Sequence, residues 1–148
     1  DVGNSGQFMT LFYLAIDSDR KTMQWVRAGH DPGMLYRLSA DRFEELGGTG
    51  IALGVDPEWS FSIQNADNLQ GGDIVLLGTD GIWEAFNRDG VMFGKAAVKQ
   101  MLREKRDQPA GVILNSVFEA VASHAGETKI ADDMTLIVVK IAALKNNH

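Results

Sequence analysis

Apolar residues fall in short bursts up to Leu77, recur at helical spacing between Phe93 and Gly126, and close in a last burst before Ile141. In the first part, "FMTLFYLAI" (Phe8 to Ile16) predicts an apolar, aromatic strand, and "DSDRKT" predicts a turn after it. "MQWVRAG" sets Met23, Trp25 and Ala28 against polar Gln24 and Arg27, the pattern of a half-buried strand. "HDPG" turns the chain, "MLYRLS" and "RFEEL" form a short hairpin, and "FSIQNADNL" fits an edge strand. In "GDIVLLGTDGIWEAF", the run Ile74, Val75, Leu76, Leu77 holds no polar position, which predicts a strand covered on both faces.

The period then changes. "GKAAVKQMLREKR" places Val98, Met101 and Leu102 on one helical face and Lys95, Lys99 and Arg103 on the other. A second helix enters at Pro109 with Asp107 or Gln108 as its cap, carries Ile113, Val117, Ala120 and Val121 as a stripe widened by Leu114 and Phe118, and stops at Gly126. "ADDMTLIVVKI" predicts a second buried strand returning to the sheet. No repeat, low-complexity segment or linker is visible. The expected class is α+β with mainly antiparallel sheets, as a single domain over residues 1–148.

Composition narrows the function. Hydrophobic residues make up 45% and charged residues 23% of the 148 positions, the balance of a globular protein. The formal charge of −6 and the absence of a basic stripe argue against nucleic acid or an anionic membrane as main partner. No cysteine is present, which excludes disulfides, thiolate metal sites and cysteine nucleophiles. No stretch has the length of a membrane span, and "DVGNSGQ" lacks the features of a signal peptide, so a cytoplasmic location is expected.

Candidate chemistry gathers where the buried runs end. Asp80 follows one run, and Asp132 and Asp133 precede the other. A carboxylate pressed against such a core is costly unless something receives it. If the two strands are antiparallel neighbours, all three acids share one rim of a sheet, where a hard divalent cation such as Mg2+ or Mn2+ would bind their oxygens. The alternative is purely local: Asp-Gly after a strand is a common turn, and Asp before a strand bonds nearby backbone. Spacing leaves both open.

"FMTLFYLAID", "RAGHDPG", "GDIVLLGTDGIWEA" and "ADDMTLIVV", which follow one another along the chain in the family's order, resemble the type 2C metal-dependent serine/threonine protein phosphatases. The resemblance is closer to the bacterial branch typified by stage II sporulation protein E and the stress-response sigma-factor regulators, and it covers Phe8 to Ile141. It implies a fold in which antiparallel sheets form a sandwich flanked by helices. It also implies that Asp80 and Asp132 are metal ligands, with Gly81 and Asp133 behind them, and that Trp83, Glu84 and Phe86 begin a short regulatory helix. The implied activity is hydrolysis of a phosphoserine or phosphothreonine protein, an anti-anti-sigma-factor-like regulator, by water activated between two Mn2+ or Mg2+ ions. An upstream sensor module is implied as well. No protein nucleophile is needed.

The family also carries an Asp followed by Gly-His-Gly upstream of the segment matching "FMTLFY", and "DVGNSGQ" does not contain it. The expectation is therefore the C-terminal portion of the domain, inactive by itself and prone to self-association through strands lacking neighbours. The alternative is a catalytically incomplete module that binds a regulatory protein without hydrolysis. A haloacid dehalogenase-like mechanism fails, because Gly78 stands where its nucleophilic Asp would be. His30 is expected to bond local backbone in its turn. The glycine-rich "GGTGIALG" is expected to be a structural crossing, since no helix follows it.

Overall fold

An apolar run and an alternating segment build the first two strands: β1 (Leu11–Asp17) and β2 (Thr22–Ala28) pair antiparallel from Leu11↔Ala28 to Asp17↔Thr22. In chain order there follow β3 (Gly33–Arg37), one 3-10 turn (Leu38–Ala40), β4 (Arg42–Leu46), β5 (Gln64–Ala66) and β6 (Ile74–Gly78). The helices α1 (Asp80–Trp83), α2 (Gly94–Lys105) and α3 (Ala110–Ala125) come next, and β7 (Leu136–Lys140) last. This computed structural model describes residues 6–128 and 132–143. Asp1 to Ser5, the part of "DVGNSGQ" that bears on the upstream element, lie outside the described residues, as does Ala131. The class is α+β with antiparallel sheets, as expected.

The chain divides into two compact units, one running up to Pro32 and adding Glu45–Leu69, the other taking Gly33–Glu44 and the chain from Gln70 onward. In the first unit the sheet order is β1-β2-β5. Met23, Trp25 and Ala28 of β2 are buried, and the Trp25 indole N–H donates to the Gly47 carbonyl at 2.7 Å. The connection from β1 to β2 is held by Asp17, whose Oδ1 accepts the N–H groups of Asp19 and Arg20. The strand predicted from Phe8 is shorter than its apolar run. Met9 makes only an isolated bridge to Leu53, and β1 is an edge whose Leu11 and Tyr13 side chains are exposed. Apolar composition there does not report burial.

In the second unit the order is β4-β3-β6-β7. Every residue of β6 is buried, because strands flank it on both sides and helices cover it. Ile74 and Leu76 meet Val98 and Leu102 of α2 and Ile113, Val117 and Val121 of α3 in one core. Fully burying side chains of this size contributes roughly 1.5–3 kcal/mol each. The helical stripes predicted from spacing are thus the core faces.

Two details differ from expectation. β7 is an edge strand rather than a buried one: Leu136 is buried, but Ile137 is 50% exposed. The cap of α3 is Pro109, with no side-chain bond from Asp107 or Gln108. The Pro109 carbonyl accepts the N–H groups of Val112 and Ile113, while the Lys140 ammonium donates to the carbonyls of Arg106 and Gln108. A β7 side chain, not a capping acid, holds the link between the two helices.

Candidate metal site

β6 and β7 run antiparallel from Ile74↔Lys140 to Gly78↔Leu136, so the exit of β6 meets the entrance of β7. This is the condition under which the acids beyond both strand ends share a rim. One residue further, the Thr79 N–H donates to the Thr135 carbonyl at 3.1 Å. The Thr79 hydroxyl accepts the Thr135 N–H at 3.0 Å and donates to the Asp133 carbonyl at 3.3 Å. Thr79 is extended (φ −88°, ψ 158°), and the next residue, Asp80, opens α1.

Both glycines of "GTDG" are closely packed, Gly78 against side chains and Gly81 against backbone. A Cβ at Gly78 would stand 3.0 Å from the Trp83 ring and 3.1 Å from the Ile82 side chain, which fold back over the strand end. At Gly81 a Cβ would lie 2.6 Å from the Asp133 carbonyl oxygen and 3.3 Å from that of Asp132. The residue after Asp80 therefore rests directly on the backbone of 132–133, which brings the segment carrying Asp80 against the segment carrying Asp132 and Asp133.

All three acids are exposed, which corrects the premise that Asp80 is pressed against the core. Its Oδ1 accepts the Gly81 N–H at 3.0 Å. Among the described residues the carboxylate that is buried is Asp73, 1% exposed, just before β6. It accepts the N–H groups of Leu38 and Gln70, both at 3.0 Å, and a bond from Arg37 Nη1 at 3.4 Å. Asp73 is a structural anchor that the sequence reading missed, although an acid between a glycine pair and a fully apolar strand was its available signal.

Of the three residues expected in the short helix, only Trp83 belongs to it. Trp83 is buried, with the Lys95 ammonium 4.7 Å from its ring centre. Glu84 is the exposed cap residue after α1, where its N–H meets the Asp80 carbonyl. Phe86 lies beyond the helix, 47% exposed, in a bridge with Met92. Beyond it the backbone turns at Asn87, whose side chain accepts the N–H groups of Asp89 and Val91. In the first unit His30 Nδ1 lies 3.0 Å from the Asp31 carbonyl oxygen, the local turn contact expected of it. Arg27 donates to the carbonyls of Gly48 and His30, tying the glycine-rich segment to the end of β2.

Asp80 and Asp132 are exposed acids beyond the ends of two paired strands, and a hard cation retains several waters and needs few protein ligands. Among the described residues no group of three His, Asp or Glu side chains gathers that could hold a metal ion.

Solved structures define the class of the fold. The chain matches the SiaA-PP2C domain of Pseudomonas aeruginosa with a TM-score of 0.76 at 21% identity, over 88% of this chain and 51% of that one. It matches the manganese-presoaked phosphatase domain of the cell fate determinant SpoIIE from Bacillus subtilis with a TM-score of 0.69 at 21% identity, over 92% and 57%. The family description Stage II sporulation protein E (SpoIIE) matches residues 1–142, and the chain belongs to that family of PP2C-type phosphatases. In sequence it is 24% identical over 137 residues to the phosphoserine phosphatase RsbU of Bacillus subtilis, strain 168. That match takes in 93% of this chain but only 40% of the relative.

Proposed function

We propose that the chain serves a metal-dependent protein serine/threonine phosphatase, acting on a phosphorylated regulatory protein of the anti-anti-sigma-factor kind. The observation that supports this reading is the closure of β6 on β7, which sets the backbone of Gly81, next to Asp80, against that of Asp132 and Asp133, in a chain of a phosphatase family. Asp80 and Asp132 would hold Mn2+ or Mg2+, and a manganese-presoaked relative supports the choice of ion. Bound ions would supply an activated water and neutralise charge on the departing alkoxide. The protein's own part is placement: the backbone of Gly81 and Asp133 fixes the distance between the ligand-bearing segments, and Asp133 presents its side chain to solvent beside them. The same proposal includes an upstream sensor module, a cytoplasmic setting, and self-association through the edge strand β1, whose Leu11 and Tyr13 are exposed.

The test is phosphate release from a phosphoserine protein by the intact protein, with and without Mn2+ or Mg2+. Release should require the ion, Asp80→Asn should lose most of the rate, and the 148-residue chain alone should release little. Undiminished turnover by Asp80→Asn would overturn the assignment. A second reading, a module that binds a regulatory protein without hydrolysis, is favoured by the lack of a third ligand at the rim among the described residues. Ion-independent binding of the phosphoprotein without release would support it.

A further inference from the structure

We propose that Thr79 is a positioning residue for the metal rim: its hydroxyl stands in for its own carbonyl in the β6–β7 ladder and thereby holds Asp80 beside Asp132. The inference rests on the metal reading above and adds a residue to it.

In an antiparallel ladder, the two residues of a hydrogen-bonded pair exchange N–H and carbonyl in both directions. Thr79 and Thr135 stand one step beyond the last paired residues, Gly78 and Leu136, where such an exchange falls due. The first half of it is ordinary, Thr79 N–H to Thr135 carbonyl at 3.1 Å. The second half is not. The Thr135 N–H goes to Thr79 Oγ1 at 3.0 Å, because the Thr79 carbonyl has turned to accept the Ile82 N–H at 3.2 Å, the first bond of α1. The side chain continues the strand while the main chain begins the helix.

The hydroxyl proton is then free for a third segment, and it points to the Asp133 carbonyl at 3.3 Å. A threonine at a helix N-cap ordinarily bonds the helix's own N–H groups. Thr79 occupies that position in α1 and makes no such bond. Its hydroxyl is committed across the sheet instead, to the residues that follow Asp132. One side chain therefore ties the residue before Asp80 to the residues after Asp132. Serine could do the same; valine, of equal shape, could not.

The experiment uses Mn2+ alone as probe, with binding read from the electron paramagnetic resonance of the free ion and backbone order from amide hydrogen exchange. Thr79→Val should bind Mn2+ about tenfold more weakly, the usual scale for residues that orient a ligand. Its Thr135 amide should exchange faster, while circular dichroism stays that of the unaltered chain. Thr79→Ser should restore both. Mn2+ binding by Thr79→Val equal to that of the unaltered chain, or failure of Thr79→Ser to restore it, would overturn the inference. Asp80→Asn separates the two levels: if it weakens Mn2+ binding and Thr79→Val does not, only the role of Thr79 falls. If, in the intact protein, Asp80→Asn binds as the unaltered protein does, or the unaltered intact protein shows no saturable binding, the metal reading falls and the inference with it. Should Thr79→Val not fold, Thr79→Ala is read the same way. Rapid exchange of the Thr135 amide in the unaltered chain is by itself sufficient to refute the arrangement.

Discussion

Gly81 and Asp133 meet backbone to backbone, so closely that a Cβ on the glycine would stand 2.6 Å from the aspartate's carbonyl oxygen. The second glycine of "GTDG" is therefore a spacer between the segments that carry Asp80 and Asp132. Flexibility is not its role.

Gly81→Ala should push those segments apart. Forcing an extra carbon into close packing costs about 1–3 kcal/mol. The variant should unfold at lower urea concentration and bind Mn2+ more weakly than its loss of stability alone explains. Equal stability and equal binding would show that the rim yields without consequence.

Asp73 carries a prediction about stability alone. It is buried, and it receives two backbone N–H groups and one arginine. Removing one side of such a buried arrangement costs roughly 3–5 kcal/mol. Asp73→Ala should approach that loss, measured by urea denaturation, because Leu38 and Gln70 keep their N–H groups and lose the acceptor. Asp73→Asn keeps one oxygen and should lose less. A loss within experimental error for both would mean that solvent reaches the site.

The contrast between Asp73 and Asp80 shows what the sequence can and cannot tell. Antiparallel closure of β6 on β7 was legible, since each apolar run has strand length and an acid marks the end where they meet. The helix faces were legible from the spacing of Val98 and Leu102, and of Ile113, Val117 and Val121. Burial of a particular acid was not. Asp80 follows the apolar run and Asp73 precedes it, and only the three-dimensional position of Arg37, Leu38 and Gln70 decides which one is enclosed. The exposed edge of β7 was hidden for a related reason: "LIVV" looks the same whether one neighbour or two lie beside it. Thr79 escaped notice because its partners stand 54 and 56 residues away.

Acid sensitivity should arise at Glu44 and Asp41. Burial alone would raise the Glu44 pKa, but bonds from Arg37 at 3.2 Å and Arg42 at 2.7 Å outweigh it and hold the carboxyl below its ordinary value. Asp41 is held low by the Tyr36 hydroxyl at 2.8 Å and by Arg103 at 2.9 Å. In both cases the unfolded chain binds the proton more readily than the folded one. Their contribution is therefore present above the ordinary carboxylate pKa of about 4 and is lost as pH falls through the lower folded values. The urea midpoint should hold steady from neutral pH to about pH 5 and fall below it. Glu44→Gln should be less stable at neutral pH and should fall less steeply. An unchanged slope in that variant would place the acid sensitivity elsewhere.

The last prediction separates the paired acids. The carbonyl of Asp133 is already occupied, accepting from Thr79 and bearing on Gly81. Its backbone fixes the rim, and its side chain is exposed with no protein partner required of it. The resemblance assigns the ligand role to Asp132 instead. Asp132→Asn should then weaken Mn2+ binding by about the tenfold or more expected for disturbing a metal's ligand sphere. Asp133→Asn should leave binding close to that of the unaltered chain, because the substitution keeps the carbonyl in place. Neither change should shift the urea midpoint much, since both side chains sit in water and exposed substitutions usually stay within about 0.5 kcal/mol. The reverse order, with Asp133→Asn the damaging change, would move the ligand assignment by one residue and leave the geometry of the rim intact.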